Sequence, residues 1–572
     1  MIDAPTRDRA LRRLGDGAFD VLVVGGGATG AGIARDAALR GFQVALVDGG
    51  DFGGETSSHS SKLIHGGLRY LQYGDFALVF EALSERRLLM TNAPHLCRPI
   101  EFLFPAYRGL APRLDTLGAG IALYNALALW RRPVGGRRLS RAEVSALSPL
   151  LRTSGLQGAQ LYVDCQTDDA RLVLETVLDA AEVGAVVVPH VMITELVRDR
   201  RGRARAALAR DRLAGGDLTI QARVIVNATG PFSDAFDRGR RNLRPTLGVH
   251  LVLDAARLPH GGRATVLRSP RDGRLVFMLP AGRRTIVGTT DTDWTPAHGA
   301  GRPPRPGDAI VARAPDVEYL LEVANAAFPA VALEPGDVVS TYAGLRPLVA
   351  VPAHTASATS REHELLVEPD GLLTVVGGKL TTYRRMAEQA VDRVVELSRD
   401  RGYEGALAPC STHRRPLPGG GVDPALLNLG DVELAPDVER HLRQSYGSRA
   451  RRIIDCMTEQ GAPWRRPALS AVPGTASGDL SSRIDPDLPY LWAEVLHAAR
   501  HELVTEVEDV LRRRIPVFRD MRDQGRAVAT RAAAIVGDVL GWSAERRAQS
   551  ASAYRESIAT SRVWLSSSPH QG

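Results

Sequence analysis

Only two lysines, Lys62 and Lys379, stand against seventy arginines, the 72 basic residues less two. Each lies in a glycine-rich stretch: Ser60-Ser-Lys62-Leu-Ile-His65-Gly-Gly-Leu-Arg69-Tyr70 and Gly377-Gly378-Lys379-Leu-Thr381-Thr382-Tyr383-Arg384. An ammonium is a compact point charge on a flexible stem and a guanidinium is a broad planar fork, so they do not replace one another in a tight pocket. Lysine kept at two such places is there for a reason. A third glycine-rich stretch, Gly25-Gly-Gly27-Ala28-Thr29-Gly30-Ala-Gly32, carries GxGxxG at Gly25, Gly27 and Gly30. It follows the apolar run Asp20–Val24 and opens a helical stretch to Leu39. A Gly41 stop, a strand Gln43–Val47 and then Asp48, 18 residues past the motif, complete the pattern. Strand, tight turn, helix, strand and acid form a βαβ unit. Its helix N-terminus would face a pyrophosphate, and its acid would take ribose hydroxyls.

Two later strands also end in glycine: Arg223–Asn227 enters Ala-Thr-Gly230, and Leu372–Val376 enters Gly377-Gly378. Ligands of an open parallel sheet sit at the carboxyl ends of its strands. Three such ends hundreds of residues apart predict one discontinuous dinucleotide domain, and this scatter favours a flavin over a nicotinamide cofactor. The fold class is therefore α/β, with a discontinuous Rossmann-like FAD-binding domain (1–90, 150–240 and 365–400). A sheet-containing substrate or cap domain (91–149 and 241–364) and a C-terminal α-helical domain (401–572) follow. Asp168 starts an amphipathic helix. Apolar runs at Val249–Leu253, Leu275–Leu279, Thr285–Gly288 and Leu365–Val367 read as sheet. Val438–Tyr446, Leu491–Arg514 and Arg526–Leu540 read as helices, beyond a linker at Pro416-Leu-Pro418-Gly-Gly-Gly421.

At 572 residues the chain has ample core for two or three domains. Its formal charge of +7 is spread among interspersed acids, which suits anionic metabolites or an anionic membrane surface and speaks against a nucleic-acid binder. Cys97, Cys165, Cys410 and Cys456 have no ligand-like spacing and read as reduced structural thiols. With no apolar h-region at the start and no transmembrane run, an intracellular protein is expected. The apolar stretch Leu117–Trp130, running into Arg131, Arg132, Arg137, Arg138 and Arg141, reads equally as an interfacial helix or as a buried helix before a solvated turn.

These motifs, in this order, resemble the FAD-dependent, aerobic glycerol-3-phosphate dehydrogenases. The similar pieces are Gly25–Gly32, Thr56-Ser57-Ser58, Ser61-Lys62 through Leu71, and Asp164 through Leu172. They continue through Asn227–Pro231, Gly288-Thr-Thr-Asp291-Thr-Asp293, Tyr342-Ala-Gly344-Leu-Arg346-Pro347 and Gly377–Arg384. The resemblance implies oxidation of sn-glycerol 3-phosphate to dihydroxyacetone phosphate, with electrons passing from FAD to membrane quinone. It implies a cytoplasmic protein, peripheral on the inner face of the cell membrane. It implies FAD contacts from Gly25, Gly27, Ala28, Thr29, Gly30, Asp48, Thr56, Ser57, Ser58, Ser61, Lys62, Gly230, Gly377, Gly378, Leu380 and Thr381. It implies a substrate pocket of Arg69, Tyr70, Arg346, Arg361 and Lys379.

A phosphate dianion needs charge-assisted donors, and two positions agree from the residues themselves. Arg346 lies between Gly344 and Pro347 after a strand-like stretch, and Lys379 sits beside Gly-Gly at a helix start. Alcohol oxidation also needs a group that takes the hydroxyl proton, for which His65 and His250 are the candidates. The cationic cluster, Arg346 included, would stabilise developing alkoxide charge. Asp291 and Asp293 read as turn or structural acids, and no metal site is expected. Two other readings stand beside this one: a glycerol-phosphate oxidase that reduces oxygen, and an FAD-binding scaffold or sensor without turnover. The helical C-terminal domain is a candidate for homo-oligomer contacts or for docking an electron acceptor.

Overall fold

The computed structural model describes residues 5–128, 136–236, 243–294, 304–349, 363–430, 432–458 and 479–566. The strand Ala18–Val24 is buried on both faces over its last four residues, as its run of valine and leucine requires of a central parallel strand. It pairs in parallel with Val44–Val47 on one side and Asp217–Asn227 on the other. Val186–Val188 and Leu373–Gly377 extend the parallel core, and His363–Val367 closes one edge antiparallel. Val191–Arg198 and Ala204–Asp211 add an antiparallel pair on Asp217–Asn227. Three parallel strands therefore end together at Val24, Asn227 and Gly377, as the glycine motifs predict.

The helix Ala28–Arg40 packs on the sheet through alanine and glycine, and a Cβ at Gly32 would come 2.9 Å from Ala387 of helix Tyr383–Asp400. It stops at Gly41, whose left-handed backbone (φ 105°) returns its N–H to the Ala37 and Ala38 carbonyls.

A second, ten-stranded sheet forms the adjoining layer. Toward one end of it lies Thr246–Asp254, flanked antiparallel by Arg284–Gly288 and Val338–Arg346. One expected boundary is displaced. Leu156–Gln166, assigned from sequence to the dinucleotide domain, belongs to this second sheet, because it pairs along its whole length with Arg98–Tyr107. A helix over Ala314–Ala327 also interrupts the region read as sheet.

The segment Leu117–Trp130 lies in part on a helix, Leu114–Leu127, that buries Leu114, Leu117, Ile121 and Tyr124 and leaves Leu123 42% exposed. Trp130, Arg131 and Arg132 fall outside the described residues. Arg137 and Arg138 stand on a strand and are ion-paired with Glu143 and Asp115, at 2.7 and 2.6 Å. No described helix is long and apolar enough to cross a membrane.

The C-terminal region is helical, with its own core around Leu442, Leu496, Val510 and Tyr554. The continuous helix expected over Leu491–Arg514 is broken. An α-helix runs over Trp492–His501, Leu503 turns left-handed (φ 56°), and a π-helical turn follows over Asp509–Arg514. Asp509 stabilises this restart by accepting from Thr505 N, Thr505 Oγ1 and Glu506 N, each at 2.9 Å. The break lets Glu502 and the paired arginines Arg513 and Arg514 face the dinucleotide domain together. Glu502 meets Arg171 at 2.8 Å, and both arginines meet Asp51; all five side chains are nearly dry.

Burial works to raise the Glu502 carboxyl, but Arg171 and His497 hold it well below the usual carboxylate range. A carboxylate depressed by folding contributes stability above its unfolded value and loses it as pH falls through the folded one. Glu502→Gln is expected to cost about 1–3 kcal/mol at pH 7, because it removes one of the two buried carboxylates on Arg171 and leaves it only Glu175. The difference from wild type should shrink below about pH 4.5. Denaturant unfolding followed by tryptophan fluorescence at pH 7 and pH 4 measures both.

Candidate active site

The glycine turn is shaped by backbone contact. Gly25 has φ 102°, and a Cβ there would lie 2.6 Å from the Ala228 carbonyl. A Cβ at Gly30 would lie 1.8 Å from the Gly25 carbonyl oxygen. The following helix begins at Ala28 with Gly27 as a cap that brings no side chain, so its start presents backbone only. That is the surface a diphosphate needs. Ser57 lies alongside and accepts from Ala28 N–H at 3.0 Å, while Thr29 stands in the same turn. Asp48, at the end of the second strand, accepts from Gly26 N–H at 2.6 Å and Gly50 N–H at 2.8 Å. Burial raises Asp48 to about 6, against the pull of those two amides. Gly230 (φ 58°), Gly377 (φ 75°) and Gly378 (φ 90°) hold left-handed turns at the ends of the neighbouring strands.

Residues 56–70 cross from this cradle to the second sheet. Thr56 Oγ1 donates to the Leu345 carbonyl at 2.7 Å, and Ser58 bonds back to the Glu55 carbonyl at 3.3 Å. Lys62, expected at the cofactor, sits in a left-handed backbone conformation (φ 56°) with its ammonium on Asp169 and on the Ser58 carbonyl, the latter at 3.2 Å. Its charge is thus used inside the loop, because Asp169, fully buried at a helix start, would otherwise have no cation partner among the described residues. Ser61 Oγ lies 2.9 Å from His250 Nε2.

His250 is 2% exposed and stacks on Tyr342, with ring centres 4.6 Å apart and planes 11° from parallel. Its room is made by glycine, since a Cβ at Gly288 would come 2.1 Å from the imidazole. Among the described residues its Nδ1 is buried with no hydrogen-bond partner. Burial, reinforced by Arg346 and Lys62, pushes the ring well below the usual histidine pKa, so it is neutral. Arg346 donates to Asp291 Oδ1 at 2.9 Å and to Thr289 Oγ1 and the Thr290 carbonyl at 3.0 Å. A Cβ at Gly248 would collide with that guanidinium at 2.5 Å.

A second group gathers around residues 65–70 and 379–381. Thr381 Oγ1 accepts from His65 N–H at 3.2 Å and donates to the His65 carbonyl at 3.3 Å; Leu380 opens the same short turn. Lys379 Nζ stands 3.7 Å over the Tyr70 ring, a cation–π contact that helps to place the ammonium. The turn at Gly66 is fixed from behind. Its N–H donates to Tyr124 Oη at 2.8 Å, and Tyr124 bonds Asp164, which also takes buried Arg86. Of Arg69 only the backbone, in the short turn Leu68–Tyr73, is described. Arg361 falls outside the described residues.

The expected residues thus form two clusters joined by one segment. Sequence reasoning missed Tyr342 as the stacking partner, Asp169 as the lysine's counter-ion and Thr289 as a ligand of Arg346. All three lie inside the quoted motifs, but their partners lie in other segments, far along the chain. Asp291 and Asp293, read as turn acids, pair with Arg346 and Arg244 at 2.9 and 2.8 Å.

Glycines that tolerate no Cβ at a bare helix start, an acid one strand away and a buried imidazole nitrogen with no partner among the described residues fit a bound FAD. Comparison with known proteins agrees. Residues 20–384 match the FAD dependent oxidoreductase family, and residues 410–547 match the C-terminal domain of alpha-glycerophosphate oxidase. The chain is 37% identical over 552 residues to a glycerol-3-phosphate dehydrogenase of Mycobacterium leprae, covering 94% of this chain and 88% of that one. It is 36% identical over 571 residues to a probable mitochondrial glycerol-3-phosphate dehydrogenase of Caenorhabditis elegans, covering 95% and 74%. The structure of the Bacillus halodurans glycerol-3-phosphate dehydrogenase complexed with FAD superposes with a TM-score of 0.76 at 28% identity, over 98% of each chain. The chain belongs to the FAD-dependent glycerol-3-phosphate dehydrogenase family.

Proposed function

We propose that this protein oxidises sn-glycerol 3-phosphate at C2 to dihydroxyacetone phosphate and delivers the electrons to a membrane quinone. The observation that carries the reading is His250: a dry, neutral imidazole fixed through Nε2 by Ser61, with Nδ1 buried and unbonded beside a guanidinium. Bound FAD supplies the acceptor for the hydride that leaves C2. His250 Nδ1 takes the hydroxyl proton, and Arg346 stabilises the charge that develops on the oxygen as it becomes a carbonyl. Lys379 binds the phosphate, joined by Arg69, Tyr70 and Arg361 on the family pattern. His65, clasped through its backbone by Thr381, shapes the wall between the two clusters.

Electron delivery to a quinone requires contact with a bilayer. Phe76 and Phe80, one turn apart on helix Phe76–Asn92, are 48% and 41% exposed. That helix packs through Val79 and Leu83 against Tyr124 of the helix that exposes Leu123. An apolar patch of this kind suits the interfacial layer of an anionic membrane. An oxygen-reducing oxidase would share the substrate site but would not need the patch.

Three outcomes are expected. Under anaerobic conditions sn-glycerol 3-phosphate bleaches the flavin absorbance, whereas glycerol and D-amino acids do not. Reoxidation is then faster with a soluble quinone analogue than with oxygen. A flavin that stays oxidised would overturn the substrate assignment.

Lys379→Met and Arg346→Ala each lower kcat/KM about a hundredfold, the equivalent of about 3 kcal/mol of lost charged contact, with flavin content retained. Steady-state kinetics on the flavin-loaded protein measures this.

Because the His250 pKa is pushed down, the imidazole is already in its proton-accepting form at pH 7. The pH profile of kcat between about 9 and 7 therefore carries no protonation step from this group. His250→Gln should lower kcat itself across that whole range.

A further inference from the structure

Strands Arg98–Tyr107 and Ala264–Arg268 of the second sheet and helix Ala314–Ala327 border a cleft of about 240 Å³ that shares no residue with the site above. Its walls are apolar, formed by Phe104, Tyr107, Leu110, Leu151, Leu275 and Ala327 among others. Among the described residues, the only charged ones lining it are Arg152 and Arg268. The Arg152 guanidinium lies 4.5 Å over the Tyr107 ring, and its Nε is buried with no hydrogen-bond partner among the described residues. Arg268 donates to the Gly273 carbonyl at 2.8 Å and to the Ala111 carbonyl.

Neither arginine has a carboxylate partner among the described residues. Two acids of the adjoining hairpin and helix are engaged elsewhere. Asp272 accepts from Tyr319 Oη at 3.0 Å and faces Arg274, and Glu322 takes Arg271. Arg152 and Arg268 are half-buried, and they differ from the buried arginines Arg35, Arg86, Arg171 and Arg514, which all meet acids, in placing two acid-free guanidinium groups in one apolar cleft.

A guanidinium drawn out of water without a counter-ion is costly, and an incoming anion recovers that cost through charge-assisted hydrogen bonds. The hydrocarbon lining in turn favours a ligand with an apolar body. A 150 Å³ apolar cavity takes benzene, so a space of this size holds roughly ten non-hydrogen atoms. We propose that this cleft is a binding site for a small organic acid with an apolar body, its carboxylate held between Arg152 and Arg268.

Octanoate is the probe, titrated calorimetrically into the full-length, FAD-loaded protein, with 1-octanol and octylammonium as neutral and cationic counterparts of equal length. The expected result is one octanoate per chain, bound at least tenfold more tightly than octanol, and no saturable binding of octylammonium. Arg268→Gln and Arg152→Met should each weaken octanoate at least tenfold and leave octanol within twofold, with flavin content unchanged. Equal affinity for octanoate and octanol would overturn the proposal. So would multiple-site uptake, or octanoate binding unaffected in both variants. If either substitution prevents folding, the three-ligand series on the wild-type protein decides alone.

Discussion

The buried contact between Lys62 and Asp169 is the constraint on which the active-site layout hangs. Asp169 is fully buried, opens the helix Asp169–Glu182, and accepts from Ser60 N–H at 3.0 Å and Ser60 Oγ at 2.7 Å as well as from the ammonium. The Lys62 carbonyl accepts from Thr167 N–H at 2.8 Å, and Leu63–Ile64 pairs with Cys165–Gln166. The loop is thus pinned between the two sheets. Pinning it sets Ser61 against His250 on one side and brings His65 to Thr381 on the other. A lysine suits this position because one compact ammonium must reach a carboxylate and a carbonyl from a left-handed backbone, where a planar five-donor fork would leave donors unsatisfied.

The second dependence is between domains. Asp51 belongs to the loop that follows Asp48, and Phe52 of that loop fills the space that a side chain at Gly26 would need. Arg513 and Arg514 hold Asp51 from the C-terminal domain. Other ties run from Arg449 to Glu175 at 2.9 Å and from Arg284 to the Asp520 carbonyl at 2.8 Å. The cofactor cradle is therefore braced by a region that contributes no glycine motif. Buried ion pairs of this sort add little net stability over apolar packing, but they tolerate no missing partner. They specify how the domains meet more than how firmly.

Charge placement also explains how a strongly cationic site keeps a neutral base. Arg346 and Lys62 are both paired with acids, yet both still bias His250 toward its unprotonated form. His59, on the same loop, is pushed down to about 3 by burial and by Arg512 and Lys62. In the function proposed above, Arg346 would thus both serve the substrate's charge and keep the proposed proton acceptor unprotonated.

The sequence by itself determined the local chemistry. The glycine turn, the strands entering it, the acid at Asp48 and the helical C-terminal region were all legible, because each rests on neighbours within a few residues or on a repeating apolar pattern. The two lysines were legible as placed residues, but their roles were not. Only the tertiary structure decided that Lys62 is consumed by Asp169 while Lys379 stands over Tyr70. It also decided that His250 has a buried nitrogen with no hydrogen-bond partner among the described residues, and that the helix expected through Leu491–Arg514 breaks so that its ends can grip another domain. It moved Leu156–Gln166 into the second sheet. The physical reason is common to all four: burial, counter-ion choice and strand partnership depend on residues far apart in the chain, and no local pattern encodes which distant acid, ring or strand will be adjacent once the chain is packed.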